Sequence, residues 1–273
     1  MKAVDAAFFT NRIYASADIR GRQIASKLGV PCDEPLAPGQ KHPKSIVLVK
    51  AVPGDIESLK SFLWFDIVDS DDRLDWIAGL PNAGVIAIGI TAERYLKARL
   101  NIPVALVPEH HCNFERCVRK ANAVSKVVGF CGYENNLDLN VEALRKRLAA
   151  VNMEFKMLPV TGNLTREDVC EFYKGIDINL TFRLPRIVAK MPPELKNPLK
   201  VINAASFGIP TVGYPEVSYE EFPPYIRVHD EEEVVDACVR LKHFDDSARR
   251  CLVRNAEQYH IDNIVELYRS ILQ

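Results

Sequence analysis

The chain has 273 residues, 35 Lys+Arg against 36 Asp+Glu, a net charge of -1 and 48% hydrophobic residues. That length predicts two modest domains or one large one. The balanced charge excludes a strongly basic nucleic-acid coat and an acidic solvating tail, though not a local basic groove, and the ordinary composition excludes global disorder. The first residues, MKAVDAAFFTNRIY, are interrupted by Asp5 and do not read as a signal peptide. No run approaches the ~18–20 apolar residues of a membrane helix. The seven Cys include no CxxC pair, so free thiols in a reducing, cytoplasmic compartment are expected in place of a disulfide framework.

Short apolar runs alternate with helical patterns. Val4–Phe9 reads as a strand and Asp18–Leu28 as a helix; Ser45–Val49 follows as a strand and Gly54–Leu63 as a helix. Phe65–Val68 is a strand ending at Asp69, Asp71–Ala78 a helix, Gly84–Ile88 a strand, Ala92–Leu100 a helix and Val104–Val107 a strand. Uninterrupted apolar strands suit a parallel sheet covered on both faces, and their alternation with helices suits βαβ units. The polar stretch Pro108–Asn122 breaks the rhythm and reads as a crossing between domains. A second alternation starts with the strand Lys126–Tyr133. Helix Asn140–Val151, strand Glu154–Leu158, helix Arg166–Lys174 with Thr165 as N-cap, and strand Ile176–Thr181 follow. After a basic, Pro-rich loop come helix Leu199–Phe207, closed by Gly208, and strands Ile209–Val212 and Tyr225–Val228. Two terminal helices follow, Glu231–Lys242 and Asp246–Leu272, the second with a break near Tyr259–Asp262. The pattern predicts two doubly wound α/β halves, divided as 1–108, a linker 109–122, 123–258 and a terminal helix 259–273, with ligands at the carboxyl ends of strands.

The most informative stretch is Asn197–Val217, NPLKVINAASFGIPTVGYPEV. Lys200 and Asn203 lie one turn apart near a helix N-terminus, where free N–H groups and partial positive charge suit a phosphate. Arg183, Arg186, Lys190, Lys196 and Lys200 crowd the loop before it, either as cations for a departing diphosphate, as a solvated face, or as contacts to nucleic-acid phosphates. Gly129 and Gly132 would let backbone N–H groups approach a phosphate near Tyr133. They equally fit an ordinary strand end.

Asp18, Arg20 and Arg22 stand at a helix start, where Asp18 is a cap and the arginines are contacts for an acceptor or a phosphate. Asp69, Asp71 and Asp72 form a strand-end carboxylate cluster that either binds acceptor hydroxyls or acts as a base, or else supplies one helix N-cap with the others solvated. Glu109, His110, His111, Cys112 and Cys117 invite a metal reading but lack the paired ligands of a zinc site, so no metal is expected. His110 and His111 are either cleft residues touching sugar hydroxyls or linker histidines. Nucleophile elbow, P-loop and GxGxxG fingerprints are all missing.

The stretch resembles the donor-site signature of two-domain retaining glycosyltransferases of the GT-B architecture, with Pro198, Lys200, Ala204, Gly208, Pro210 and Val212 in register. Asn203 stands where that family has the Glu that holds the donor ribose, and Leu195 falls where its partner Glu would be, with Glu194 adjacent. The resemblance implies two Rossmann-like domains facing across a cleft, with the C-terminal helix crossing back to the first. It implies a nucleoside-diphosphate sugar as donor, bound mostly by the second domain, and metal-independent, retaining transfer of the sugar. Lys200 with Arg183 or Lys190 would stabilise the leaving diphosphate, Arg186, Lys196 and Asn203 would line the donor site, His110 would touch sugar hydroxyls or the acceptor, and Asp69 would bind acceptor hydroxyls or act as a base. The acceptor, a saccharide, another small molecule or DNA, would meet the first domain near Asp18, Arg20, Arg22 and His111. A nucleotide-sugar epimerase and a non-catalytic binding or scaffold protein of the same architecture are the rival readings.

Overall fold

Among the described residues, ten strands form two five-stranded parallel sheets. The computed structural model describes residues 4–10, 15–35, 41–52, 56, 59–68, 71–120, 124–160, 164–184, 192–222 and 225–273. These divide into two units. Unit 1 takes its residues from 1–110, 192–197 and Ile261–Gln273; unit 2 takes its own from 111–184 and 198–260.

Unit 1 is built on β1 (Ala6–Thr10), β2 (Ser45–Val49), β3 (Phe62–Ile67), β4 (Ala83–Ala87) and β5 (Val104–Leu106), paired in that order. A π-helical turn (Ala17–Arg22) runs into α1 (Gln23–Leu28), after which Cys32 pairs with Phe8 on the outer edge of β1. Phe8 N donates to the Pro31 carbonyl at 3.0 Å, and Asp33 N donates to the Phe8 carbonyl at 2.9 Å. Cys32 is thus a one-residue second strand, and the chain turns outward from β1 before returning to its other side as β2. That reversal makes the order doubly wound.

The register places Thr10, Val49 and Asp66 side by side. The π-helical turn lies on this face so closely that a Cβ on Gly21 would sit 2.2 Å from Thr10. The opposite face presents Ile46, Leu48, Leu63 and Phe65 to α2 (Leu74–Ala78), α3 (Ile90–Lys97) and Leu195. Burying such side chains contributes ~1.5–3 kcal/mol each. The terminal helix α9 (Ile261–Ile271) packs on α1, with Tyr268 edge-on to Phe8 at 5.7 Å.

Unit 2 orders its strands β10-β9-β8-β6-β7, with β6 (Val127–Gly132), β7 (Glu154–Pro159), β8 (Ile178–Thr181), β9 (Thr211–Gly213) and β10 (Ile226–Arg227). Helices α4 (Val141–Ala150) and α7 (Glu231–Arg240) cover Phe130, Phe155, Leu180 and Val212 on one face. On the other face α5 (Arg166–Lys174) and α6 (Leu199–Ser206) pack around Tyr173, Ile176 and Phe207, and α8 (Asp246–Ala256) lies against α6. Local chemistry sets the ends. Thr165 and Asp168 form a reciprocal capping box on α5, and Gly208 takes a left-handed φ of 75° just beyond α6.

Two expectations shift. Phe62 and Leu63, read as the end of a helix, begin β3, because the apolar run extends back from Phe65 through them. Residues 54–55 and 57–58 of that expected helix lie outside the described residues. Asp18 caps nothing: the helical turn begins one residue earlier, and its carboxylate accepts from Gln23 Nε2 at 2.5 Å. The last helical pattern breaks where expected, with a 3-10 turn at Glu257–Tyr259 before α9.

Candidate functional site

In doubly wound sheets, ligands bind where the strand order reverses, beyond the carboxyl ends of the two diverging strands. In unit 2 those strands are β6 and β8, which end at Gly132 and Thr181. Lys200, in the first turn of α6, fills the space beside Gly132. A Cβ on Gly132 would meet Lys200 Nζ at 3.0 Å and the Phe130 ring at 3.0 Å, so the glycine lets the ammonium pack closely against the strand end. The Nζ sits 4.6 Å from the centre of the Phe130 ring, and among the described residues no carboxylate pairs with it. Burial pushes its pKa down to about 8, helped by the nearby Arg183 guanidinium and opposed by Cys131 and Glu216. A buried cation without a counter-ion costs stability, and an incoming anion would relieve that cost.

Arg183 follows β8 and is held by Glu216 through Nε to Oε1 at 3.2 Å and Nη2 to Oε2 at 2.5 Å. The Glu216 side chain is only 8% exposed, so this pair fixes the guanidinium. Tyr219 and Thr181 share a buried hydroxyl hydrogen bond of 2.8 Å that ties the turn after β9 to the end of β8. Glu216 and Tyr219 were not among the expected site residues. Arg183 and its partner are far apart in sequence, and only a cation at a strand end hints that a carboxylate must meet it.

The expected residues separate into groups. Arg183, Lys200, Gly132 and the exposed Tyr133 lie at the carboxyl ends of β6 and β8 or beside them. Gly129 serves packing: its Cβ would lie 2.4 Å from Ile176 and 2.8 Å from Phe172. Asn203 is 6% exposed, and its Oδ1 accepts from Cys112 N at 2.9 Å. This amide thus anchors the 111–120 segment to α6. Leu195 is wholly buried in the unit 1 core, and Lys196 stands next to it in the same unit. Asp69, Arg186 and Lys190 lie outside the described residues.

The unit 1 arginine and the two histidines depart from their expected contacts. Arg20 is 1% exposed; its Nε donates to Asp66 Oδ1 and Oδ2 at 2.8 and 2.7 Å, and its Nη2 to the Val107 carbonyl at 2.8 Å. Tyr268 donates to the same carboxylate at 3.0 Å. Arg20 is therefore a structural staple with no surface to offer an acceptor. The signal was present in FLWFDI, since a carboxylate inside an apolar strand demands a buried cation. His110 is buried with Nε2 2.8 Å from the Ile19 carbonyl in unit 1. His111 is buried in unit 2, edge-on to His260 with ring centres 5.4 Å apart. Arg22 alone of the expected acceptor cations reaches the surface, 3.6 Å from both Asp18 and Asp33. No group of three metal-ligating side chains occurs among the described residues. None of the described helices is long and apolar enough to cross a membrane.

No family model matches the sequence, and no curated protein matches it. Solved structures do. HepE from Anabaena, solved with UDP and glucose, is similar over 98% of this chain and 99% of its own, with a TM-score of 0.57 at 10% identity. AviGT4, a glycosyltransferase involved in avilamycin A biosynthesis, matches over 98% and 96% of the two chains with a TM-score of 0.52 at 13% identity. TarM matches 84% of this chain and 54% of its own, with a TM-score of 0.55 at 11% identity. Likeness at such identities is a likeness of fold: two Rossmann-like units built on parallel five-stranded sheets, the GT-B glycosyltransferase fold.

Proposed function

We propose that the chain transfers a sugar from a nucleoside-diphosphate sugar to an acceptor, with the diphosphate seated at the unit 2 switch point. One observation carries this reading: Lys200 is held at the ends of β6 and β8 against Gly132, with no carboxylate partner among the described residues. An approaching diphosphate supplies the missing negative charge and raises the Lys200 pKa from about 8, so the ammonium is fully charged when the leaving group departs. The fixed Arg183 guanidinium lies close enough to add a second positive charge without reorganisation. HepE, similar in fold, was solved with UDP and glucose, which supports a UDP-sugar as the first donor to try. Transfer without a metal and with retained configuration belongs to the same proposal and rests on the sequence resemblance.

Calorimetric titration of UDP and GDP tests it. Lys200→Ala is expected to weaken binding of the preferred diphosphate by about 1–3 kcal/mol, as for a lost charged hydrogen bond. Unchanged affinity would remove the proposed site.

Asn203 favours a second reading, a nucleotide-binding module without transfer. A neutral amide replaces the expected carboxylate, and its oxygen is already committed to Cys112 N. Tight UDP binding with neither transfer to any acceptor nor hydrolysis of a UDP-sugar would select that reading.

A further inference from the structure

Two cysteines that the donor site does not use meet within unit 2, Cys112 in the 111–120 segment and Cys170 on α5. Cys170 Sγ donates to the Cys112 carbonyl at 3.1 Å, and the two side chains hydrogen-bond to each other. Arg166, one turn earlier on α5, donates from Nη1 to the same carbonyl at 2.8 Å and lies 3.8 Å from Cys170 Sγ. Its guanidinium is fixed in turn by Glu115, through Nη1 at 3.0 Å and Nη2 at 2.9 Å. On the other side, Cys112 N donates to Asn203 Oδ1 on α6. The Cys112 peptide is thus clamped from both sides, and two thiols 58 positions apart in sequence are held together.

We propose that Cys112 and Cys170 form a dithiol site at which a hydroperoxide installs a reversible disulfide, tying the 111–120 segment covalently to α5. The Cys112 thiol, donating toward the Cys170 sulfur, holds Cys170 below the ordinary thiol range against the effect of burial, and the Arg166 cation adds to this. The same contact, together with burial, pushes Cys112 up, so it keeps its proton until Cys170 has reacted. Other interior cysteines have no such help: burial pushes Cys131 up to about 11, despite the Lys200 cation, and Cys238 up to about 12. Cys112 is half-buried and Cys170 only 5% exposed, which favours an oxidant little larger than water. The Cys170 thiolate attacks one peroxide oxygen, the O–O bond breaks, hydroxide leaves and takes up the proton that Cys170 lost, and Cys170 becomes a sulfenic acid. The Cys112 sulfur then attacks that sulfur, the S–O bond breaks, and the hydroxyl leaves as water with the Cys112 proton. Over both steps two thiols are oxidised to one disulfide and hydrogen peroxide is reduced to two waters. The site uses no residue at the ends of β6 and β8, so it stands whether or not the transferase reading does.

The test is oxidation of the full chain by a stoichiometric amount of hydrogen peroxide, then alkylation of the remaining thiols and peptide mapping without reductant. The expected product has the mass of one chain less two hydrogens and carries a Cys112–Cys170 cross-link. Dithiothreitol should return it to seven free thiols. In Cys112→Ser, Cys170 should stop at the sulfenic acid and be labelled by dimedone, while in the wild type the label should be largely lost because Cys112 consumes the intermediate. Cys251→Ser, which removes an exposed thiol elsewhere in unit 2, should leave the cross-link unchanged. A cross-link through Cys117 or Cys251, oxidation spread over the exposed thiols without a cross-link, or Cys170 left unlabelled in a folded Cys112→Ser chain overturns the proposal. If that variant does not fold, the wild-type peptide map decides by itself.

Discussion

The two units share one winding scheme and treat an interior cation in opposite ways. In unit 1, Arg20 is enclosed with its counter-charge: the guanidinium donates to Asp66 and to the Val107 carbonyl, Tyr268 donates to the same carboxylate, and almost none of the arginine is exposed to a ligand. In unit 2, Lys200 is packed against a ring and a glycine with no carboxylate of its own among the described residues. A satisfied buried ion pair holds a unit together, whereas an unsatisfied cation at a strand reversal is chemistry held in reserve. Position near a strand end therefore separates structural from functional charge less well than the local charge balance does.

The largest expected effect tests the first half of that contrast. Asp66→Ala strands Arg20 in the core of unit 1 and should destabilise that unit by about 3–5 kcal/mol, the usual result of breaking a buried pair from one side. Urea unfolding followed by the fluorescence of Trp64 and Trp76, both unit 1 residues, measures it. A loss under about 1 kcal/mol would show that the pair is not the staple described, since that is the range of an exposed pair. Next in size is Gly132→Ala. The new methyl would press against the Lys200 ammonium and the Phe130 ring, each 3.0 Å away, and overpacking of this kind costs about 1–3 kcal/mol. UDP affinity should fall by about tenfold, or about 1.4 kcal/mol, with stability changed less than by Asp66→Ala. Unaltered UDP binding would break the link between the glycine and the site.

The smallest effect is also the most specific. Lys200 titrates near 8 in the folded chain and near its ordinary, higher value when unfolded. At pH 7 both states are protonated, and the folded state carries the penalty of burial. Between about pH 8 and the ordinary lysine range the unfolded chain binds more protons, so wild-type stability rises with pH there. Lys200→Met should therefore raise the unit 2 melting temperature at pH 7, with the advantage shrinking as the pH climbs through that window. A variant less stable than wild type at pH 7 would mean that the ammonium is compensated after all.

Much of the fold could be read from the pattern of residues, because parallel strands buried on both faces print themselves as runs such as SIVLV and KVVGFCG. Helix ends marked by Thr165 or Gly208 were equally visible. The one-residue strand at Cys32 was not, since a single pairing has no periodicity, and with it went the position of the unit 1 reversal. At the site, Lys200 and Gly132 could be brought together from the sequence because each sits at a defined offset from a strand or a helix start. Glu216 could not, because what assigns it to Arg183 is a tertiary contact across 33 positions. Arg20 and the two histidines misled for the converse reason. Polar residues near strand ends look alike in a sequence, whether they face solvent or a carbonyl 2.8 Å away in the interior.

The single pairing at Cys32 also governs how the molecule meets its neighbours in concentrated solution. A long, flat strand at the margin of a sheet offers a row of unpaired amides and carbonyls on which another chain can extend the sheet. Here the margin beyond β1 is one residue long, and the opposite margin, β5, has three. In unit 2 one border is the two-residue β10. The other, β7, carries Glu154 and Lys156 and ends at Pro159, which has no amide to donate. Borders so short or so punctuated give a growing β-aggregate little to copy. Among the described residues, the sheets thus leave strand ends open to ligands while their borders are short or interrupted.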